Sequence, residues 1–156
     1  STISVAVDII EENSGDYKVS IQSGRINTGI NVRDWLQRLV QVGVGEIIVT
    51  SLSCEGRCNG FDLQLLESIT DIPSCPLIVH GGAGCLNDLL SVCTNSAVSG
   101  VSVASLLHFT FLRNNEHLLS SLRASPASLP ILDRISLIGK SQYQLDELVS
   151  SFKAAF

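Results

Sequence analysis

Pro76-Leu77-Ile78-Val79-His80-Gly81-Gly82-Ala83-Gly84 reads as a short buried strand that runs directly into a glycine turn, with a helix opening near Leu86. An aliphatic, β-branched run bounded by proline and glycine suits a strand covered on both faces, as in a parallel sheet. Consecutive glycines at its C-terminal end carry no side chains. Backbone N–H groups there can approach an oxyanion, and the following helix adds the positive end of its dipole. Phosphate is the natural guest of such a turn. Taken alone, a Gly-Gly pair is as well explained by an ordinary turn. The arrangement returns one unit later, however: Ala97-Val98-Ser99-Gly100-Val101-Ser102-Val103-Ala104-Ser105 is a second buried strand that ends in small residues before an apolar helical run. In a (β/α) barrel, a phosphate commonly sits between the loops after the last two strands.

Working towards the N-terminus, Glu46-Ile47-Ile48-Val49-Thr50-Ser51 is another strand, with Glu46 at the opposite end from Thr50 and Ser51. A surface carboxylate is the plain reading of Glu46. Ile3-Ser4-Val5-Ala6-Val7-Asp8 is an apolar run that ends in a carboxylate, where a barrel strand presents a catalytic group, although Asp8 also reads as a cap or a loop acid. Between these strands, Ile9-Ile10 and the alternating Tyr17 to Ile21 predict a small hairpin, continued by a loop through Ser23-Gly24 to Thr28-Gly29 that overhangs the site as a lid. From Asn31 the spacing of Val32, Trp35, Leu36, Leu39 and Val40 is helical, and Gly43 stops it. Leu52 to Gly60 is a loop containing Gly56, and Phe61 to Thr70 is helical with Asp62 in its first turn.

A helix over Leu86 to Cys93 and another from Leu106 to about Leu122 complete four βα units, which implies a parallel sheet with right-handed crossovers. Residues 1–122 are thus expected to form an α/β unit of TIM-barrel type. Residues 123–156, broken by Ser125-Pro126 and Leu129-Pro130 before a candidate amphipathic helix over Gln142 to Ala155, form a C-terminal extension with no catalytic role.

The 156-residue chain is long enough to bury a core, and 45% hydrophobic residues with a mean hydropathy of +0.33 imply that some apolar surface belongs to an interface. No apolar run reaches the ~20 residues that span a bilayer, and the N-terminus does not read as a secretory signal, so a cytoplasmic location is expected. A net charge of −5 without a basic stretch argues against nucleic acid and anionic membranes as partners. Five irregularly spaced cysteines fit reduced thiols better than a disulfide framework. Cys54, Cys58, His80 and Cys85 would share one face and could form a zinc set, but their spacing matches no established metal motif. No metal and no cofactor is expected.

Read together, Val5-Ala6-Val7-Asp8, Ser23-Gly24 with Asn27-Thr28-Gly29, Arg33-Asp34-Trp35, Gly45 to Ser51, Gly81-Gly82-Ala83-Gly84 and Ala104-Ser105 with His108-Phe109 resemble the cyclase subunit of imidazole glycerol phosphate synthase over residues 3 to 110. Nine-carbon-sugar pathway homologues share much of this pattern. The resemblance falls on the C-terminal half, strands five to eight, of a (β/α)₈ barrel that takes about 250 residues when complete. It implies a chain that needs an N-terminal half or a second copy. It also implies a glutaminase partner whose ammonia crosses the barrel to a phosphorylated ribulosyl-formimino substrate, yielding imidazole glycerol phosphate and an aminoimidazole carboxamide ribonucleotide in histidine biosynthesis.

Under the resemblance, Asp8 matches the general acid/base, Glu46 the gate for ammonia, and Gly56, Gly82, Ala104 and Ser105 a phosphate site, with Thr50 beside it and Gly81 in the same turn. The pattern Asp-Arg-Asp-Gly-Thr is replaced by Ser53-Cys54-Glu55-Gly56-Arg57, so the first acid is absent and the second is lengthened to Glu55. His80 stands where a serine is usual, beside the phosphate turn. His108 reads as a packed helix residue. The alternatives are a non-catalytic phosphosugar-binding or assembly half-barrel, and a homologous amidotransferase cyclase of another sugar pathway.

Overall fold

The computed structural model describes residues 1–124. Six strands, β1 (Ser4–Asn13), β2 (Asp16–Ile21), β3 (Ile26–Asn31), β4 (Glu46–Ser51), β5 (Leu77–His80) and β6 (Gly100–Ser102), form one sheet in the order β3-β2-β1-β4-β5-β6. β1, β4, β5 and β6 run parallel, and β2 and β3 are antiparallel additions at one side. α1 (Val32–Val42), α2 (Leu63–Ile69), α3 (Leu86–Cys93) and α4 (Ser105–Arg113) follow β3, β4, β5 and β6, and α5 (Glu116–Arg123) comes last among the described elements. This mixed, parallel-dominated α/β sheet fits a partial TIM barrel, the fold class that the sequence predicts.

Side chains alternate across each strand, so one set faces the helices and the other the opposite side. Val7 and Ile9 of β1, Ile47 and Val49 of β4, and Leu77 and Val79 of β5 are buried together with Leu36 and Leu39 of α1, Leu65, Leu66 and Ile69 of α2, and Leu89 and Val92 of α3. Each such aliphatic side chain contributes about 1.5–3 kcal/mol on full burial. The other set, Ala6, Ile48 and Ile78, occupies one row across β1, β4 and β5 and stays partly or wholly exposed. Local signals fix the ends of α1. The Asn31 side chain accepts from the N–H of Arg33, and Gly43 closes the helix in the left-handed conformation with φ 82. Arg33 clamps the two carboxylate oxygens of Asp71 at 2.8 and 2.7 Å and donates to the carbonyl of Ser68, which ties α1 to the end of α2.

Several expected boundaries are corrected. The strand expected to end at Asp8 and the hairpin arm expected at Ile9-Ile10 are one strand, β1, that runs on to Asn13 and pairs with β2 as the expected hairpin, and Ile26–Asn31, expected as loop as far as Gly29, is a third antiparallel strand. The anticipated lid is therefore a continuation of the sheet, held by the β1–β2 and β2–β3 ladders. β6 spans only three residues, and the last helical run divides at Asn114-Asn115, where the Asn115 side chain accepts from the N–H of Leu118 and starts α5. Asp62 precedes α2 as its N-cap instead of lying in its first turn. His108 is exposed, with its ring set edge-on to Phe109 at 5.1 Å. The proline breaks and the helix expected over Gln142 to Ala155 lie outside the described residues. Among the described residues no helix is long and apolar enough to cross a membrane.

Candidate functional site

Register places the site. Asp8 pairs with Thr50, Thr50 with His80 and His80 with Ser102, so these four residues form one row that lies near the C-terminal ends of β4, β5 and β6 and midway along β1. Thr50 is buried, Asp8 and His80 are half-buried, and Ser102 is exposed. Among the described residues no group hydrogen-bonds the Asp8 carboxylate. Glu46 lies at the far end of β4, in register with Ser4, whose hydroxyl donates to Glu46 Oε1 at 2.9 Å. The strand lengths thus separate a carboxylate at one end of the sheet from the polar row at the other.

Beside the row, a cleft is lined by Glu55, Gly56, His80, Gly81, Gly82, Ala104 and Ser105 together with Cys58, Ala83, Ser102 and Val103. Three loops meet in it, those after β4, β5 and β6, and the first residue of α4 opens onto it. Every residue that the sequence assigns to phosphate or substrate binding, apart from Thr50, reaches this one cleft. Close approach explains the glycines: at Gly82 a Cβ would lie 2.0 Å from the carbonyl oxygen of Gly60, and its φ is +107. The N–H of Gly60 donates to the carbonyl of Gly82 at 2.9 Å, so the loops after β4 and β5 are stitched together backbone to backbone. The turn therefore has a structural role as well as the one read from anion chemistry.

His80, the last residue of β5, bridges the loop after β4 and the end of β6. Its Nδ1 lies 3.0 Å from the carbonyl oxygen of Ser102 and its Nε2 3.2 Å from Glu55 Oε2. It does not join the cysteines, and among the described residues no three His, Cys, Asp or Glu side chains are arranged to hold a metal ion. Cys54, Cys75, Cys85 and Cys93 are free thiols, and burial pushes the Cys93 thiol above its ordinary value.

A second cluster escaped the sequence reading. Asp62 caps α2 by accepting from the N–H of Leu65 at 2.9 Å, and it also accepts from the Ser51 hydroxyl at 2.9 Å and the Tyr17 hydroxyl at 3.1 Å. Ser51 is within 2.9 Å of the Ser53 hydroxyl. Burial, and then the negative charge of Asp62, push the Tyr17 phenol well above its ordinary value. This cluster joins β2, β4, the loop carrying Glu55, and α2. The only sequence signal for it was the acid just ahead of a helix, because the tyrosine lies 45 residues upstream.

Residues 1–113 match a family described as histidine biosynthesis protein. The chain is 43% identical over 98 residues to imidazole glycerol phosphate synthase subunit HisF of Clostridium botulinum, covering 63% of this chain and 38% of that protein. Proteins of the same name from Prochlorococcus marinus and Streptococcus sanguinis are 40% identical over 108 residues and 38% over 105, covering 68% and 67% of this chain and 42% of each relative. The chain thus spans about two fifths of the length of the curated relatives it matches, a coverage that fits a half-barrel.

Proposed function

The chain belongs to the histidine biosynthesis protein family, and from that premise we propose that it is the C-terminal half-barrel of an imidazole glycerol phosphate synthase cyclase. Completed by an N-terminal half, it uses ammonia from a glutaminase partner to convert a phosphorylated formimino ribonucleotide into imidazole glycerol phosphate and an aminoimidazole carboxamide ribonucleotide. The observation that carries this reading is the row Asp8, Thr50, His80 and Ser102 beside a glycine-lined cleft, with Glu46 at the opposite end of the same sheet.

Each group has a task. The cleft holds one substrate phosphate through the backbone of Gly56, Gly81 and Gly82 and the start of α4 at Ala104 and Ser105. Thr50 contacts the substrate between that phosphate and Asp8. Asp8 takes and returns the proton as ring closure proceeds, a role that contributes typically 10²–10⁴-fold. Glu46 stands where ammonia enters. A reading without turnover has one observation in its favour: Ser53, not an acid, follows β4, and its hydroxyl faces Ser51.

The test is reconstitution of the chain with the N-terminal half of a full-length relative, supplied with ammonium and the ribonucleotide. Ammonia-dependent product that Asp8→Asn abolishes is the expected result. Product formed at an undiminished rate by Asp8→Asn contradicts the role of Asp8, and no product from a complex that binds phosphate favours the binding module.

A further inference from the structure

Glu55 and His80 both depart from the pattern of the resembling family, one lengthened and one enlarged, and the fold brings the two departures into contact at 3.2 Å. Glu55 lies in the loop after β4 and His80 ends β5, so sequence proximity does not explain the meeting. The Ser102 carbonyl holds His80 Nδ1 at 3.0 Å and so fixes the ring plane. A carbonyl oxygen only accepts, hence Nδ1 carries hydrogen in that contact. Nε2 then points at the cleft, and its partner there is the Glu55 carboxylate. The same Oε2 lies 3.2 Å from the position a Cβ on Gly81 would take, so a negative oxygen already sits over the glycine turn.

Resting on the reading of this cleft as a phosphate cradle, we infer that Glu55 is the cradle's own competing anion. Phosphate binds by displacing the Glu55 carboxylate from His80 Nε2; with hydrogen on both ring nitrogens, the imidazolium keeps its Nδ1 bond to Ser102 and donates from Nε2 to a phosphate oxygen. Two anions cannot share one donor without repulsion, and a charge-assisted bond to phosphate replaces the one to the carboxylate. Glu55 has room to leave. Its side chain is 37% exposed, and it precedes Gly56, which has a φ of 69. The exposure also means that solvent screens the pair, so the effect is modest.

The experiment is calorimetric titration of the full chain with inorganic phosphate, for the wild type, Glu55→Gln, Glu55→Ala, His80→Ser and the Glu55→Gln/His80→Ser double variant. Glu55→Gln is expected to bind about fivefold tighter because a like charge is removed. Glu55→Ala, which leaves nothing to accept from Nε2, gains at least as much. His80→Ser binds more weakly, and in its background the Glu55→Gln gain falls below about twofold because the contested donor is gone. Wild-type binding that Glu55→Gln and Glu55→Ala leave unchanged overturns the inference while the cradle stands. An equal gain with and without His80 also overturns it, since Glu55 would then act as a general charge. No binding by any variant overturns the phosphate cradle itself, and the inference with it.

Discussion

An alanine at position 82 would place its Cβ 2.0 Å from a backbone oxygen, in a conformation with φ +107 that side chains rarely adopt. Strain at such a position is of order 1–3 kcal/mol, and the clash adds to it, so Gly82→Ala is expected to lower urea stability by roughly 2 kcal/mol or more and to abolish phosphate binding. A variant of unchanged stability would mean that the loops after β4 and β5 separate easily. At Asp8 the argument is chemical. Asparagine keeps the size and removes the proton acceptor, so in the reconstituted complex turnover falls by about 10²–10⁴-fold while KM moves little. A rise in KM alone would make Asp8 a binding group. The strand-end positions of Thr50 and His80 and the glycine turn were legible in the sequence because strand ends and glycine turns announce themselves locally, whereas Asp8, read as the end of a strand, lies midway along β1. The contacts of His80 were not legible. Ser102 contributes a carbonyl, which every residue has, and Glu55 meets His80 only after two loops have folded against each other.

At the scale of elements, the β1–β2 hairpin is secured by one buried tyrosine. Tyr17 is 3% exposed, and its hydroxyl reaches the Asp62 cap of α2. Tyr17→Phe removes a hydrogen bond to a charged group and is expected to destabilise by about 1–2 kcal/mol, read by chemical denaturation. The pH dependence has a definite sign. The folded phenol holds its proton more tightly than the unfolded one, so its stabilisation is complete below the ordinary value of 10.0 and declines as pH rises beyond it. Wild-type stability should therefore fall more steeply above that pH than the stability of Tyr17→Phe, and parallel profiles would contradict a phenol held above its ordinary value by burial and Asp62. α1, α3, β4 and β5 were readable because apolar spacing and caps agreed. β3 was not, because Asn27-Thr28-Gly29 carries turn chemistry, and pairing with β2 overrides it. The break between α4 and α5 was hidden by continuous apolar content, although the Asn114-Asn115 pair marks it in retrospect.

For the molecule as a whole, the decisive feature is what the sheet leaves open. β6 pairs only with β5, and the β1 residues Ser4 to Val7, below the start of the hairpin ladder at Asp8, pair only with β4 among the described residues. Two parallel edges therefore stand free while Ala6, Ile48 and Ile78 line an incompletely covered inner face. Unpaired edges invite further strands, and a barrel closes by pairing both. The hairpin does not obstruct closure, because its ladder lies at and beyond Asp8, at the same end as the cleft. The composition, apolar for a chain of this length, was the legible sign of this need. The identity of the covering half was not, since an edge offers the same backbone groups to any strand. The most direct test is the mass of the particle by light scattering at several concentrations, alone and mixed with the N-terminal half of a full-length relative. A half-barrel is expected to self-associate as a dimer or larger species alone and to form a one-to-one complex with the added half. A monomer at every concentration that ignores the added half would contradict the half-barrel account.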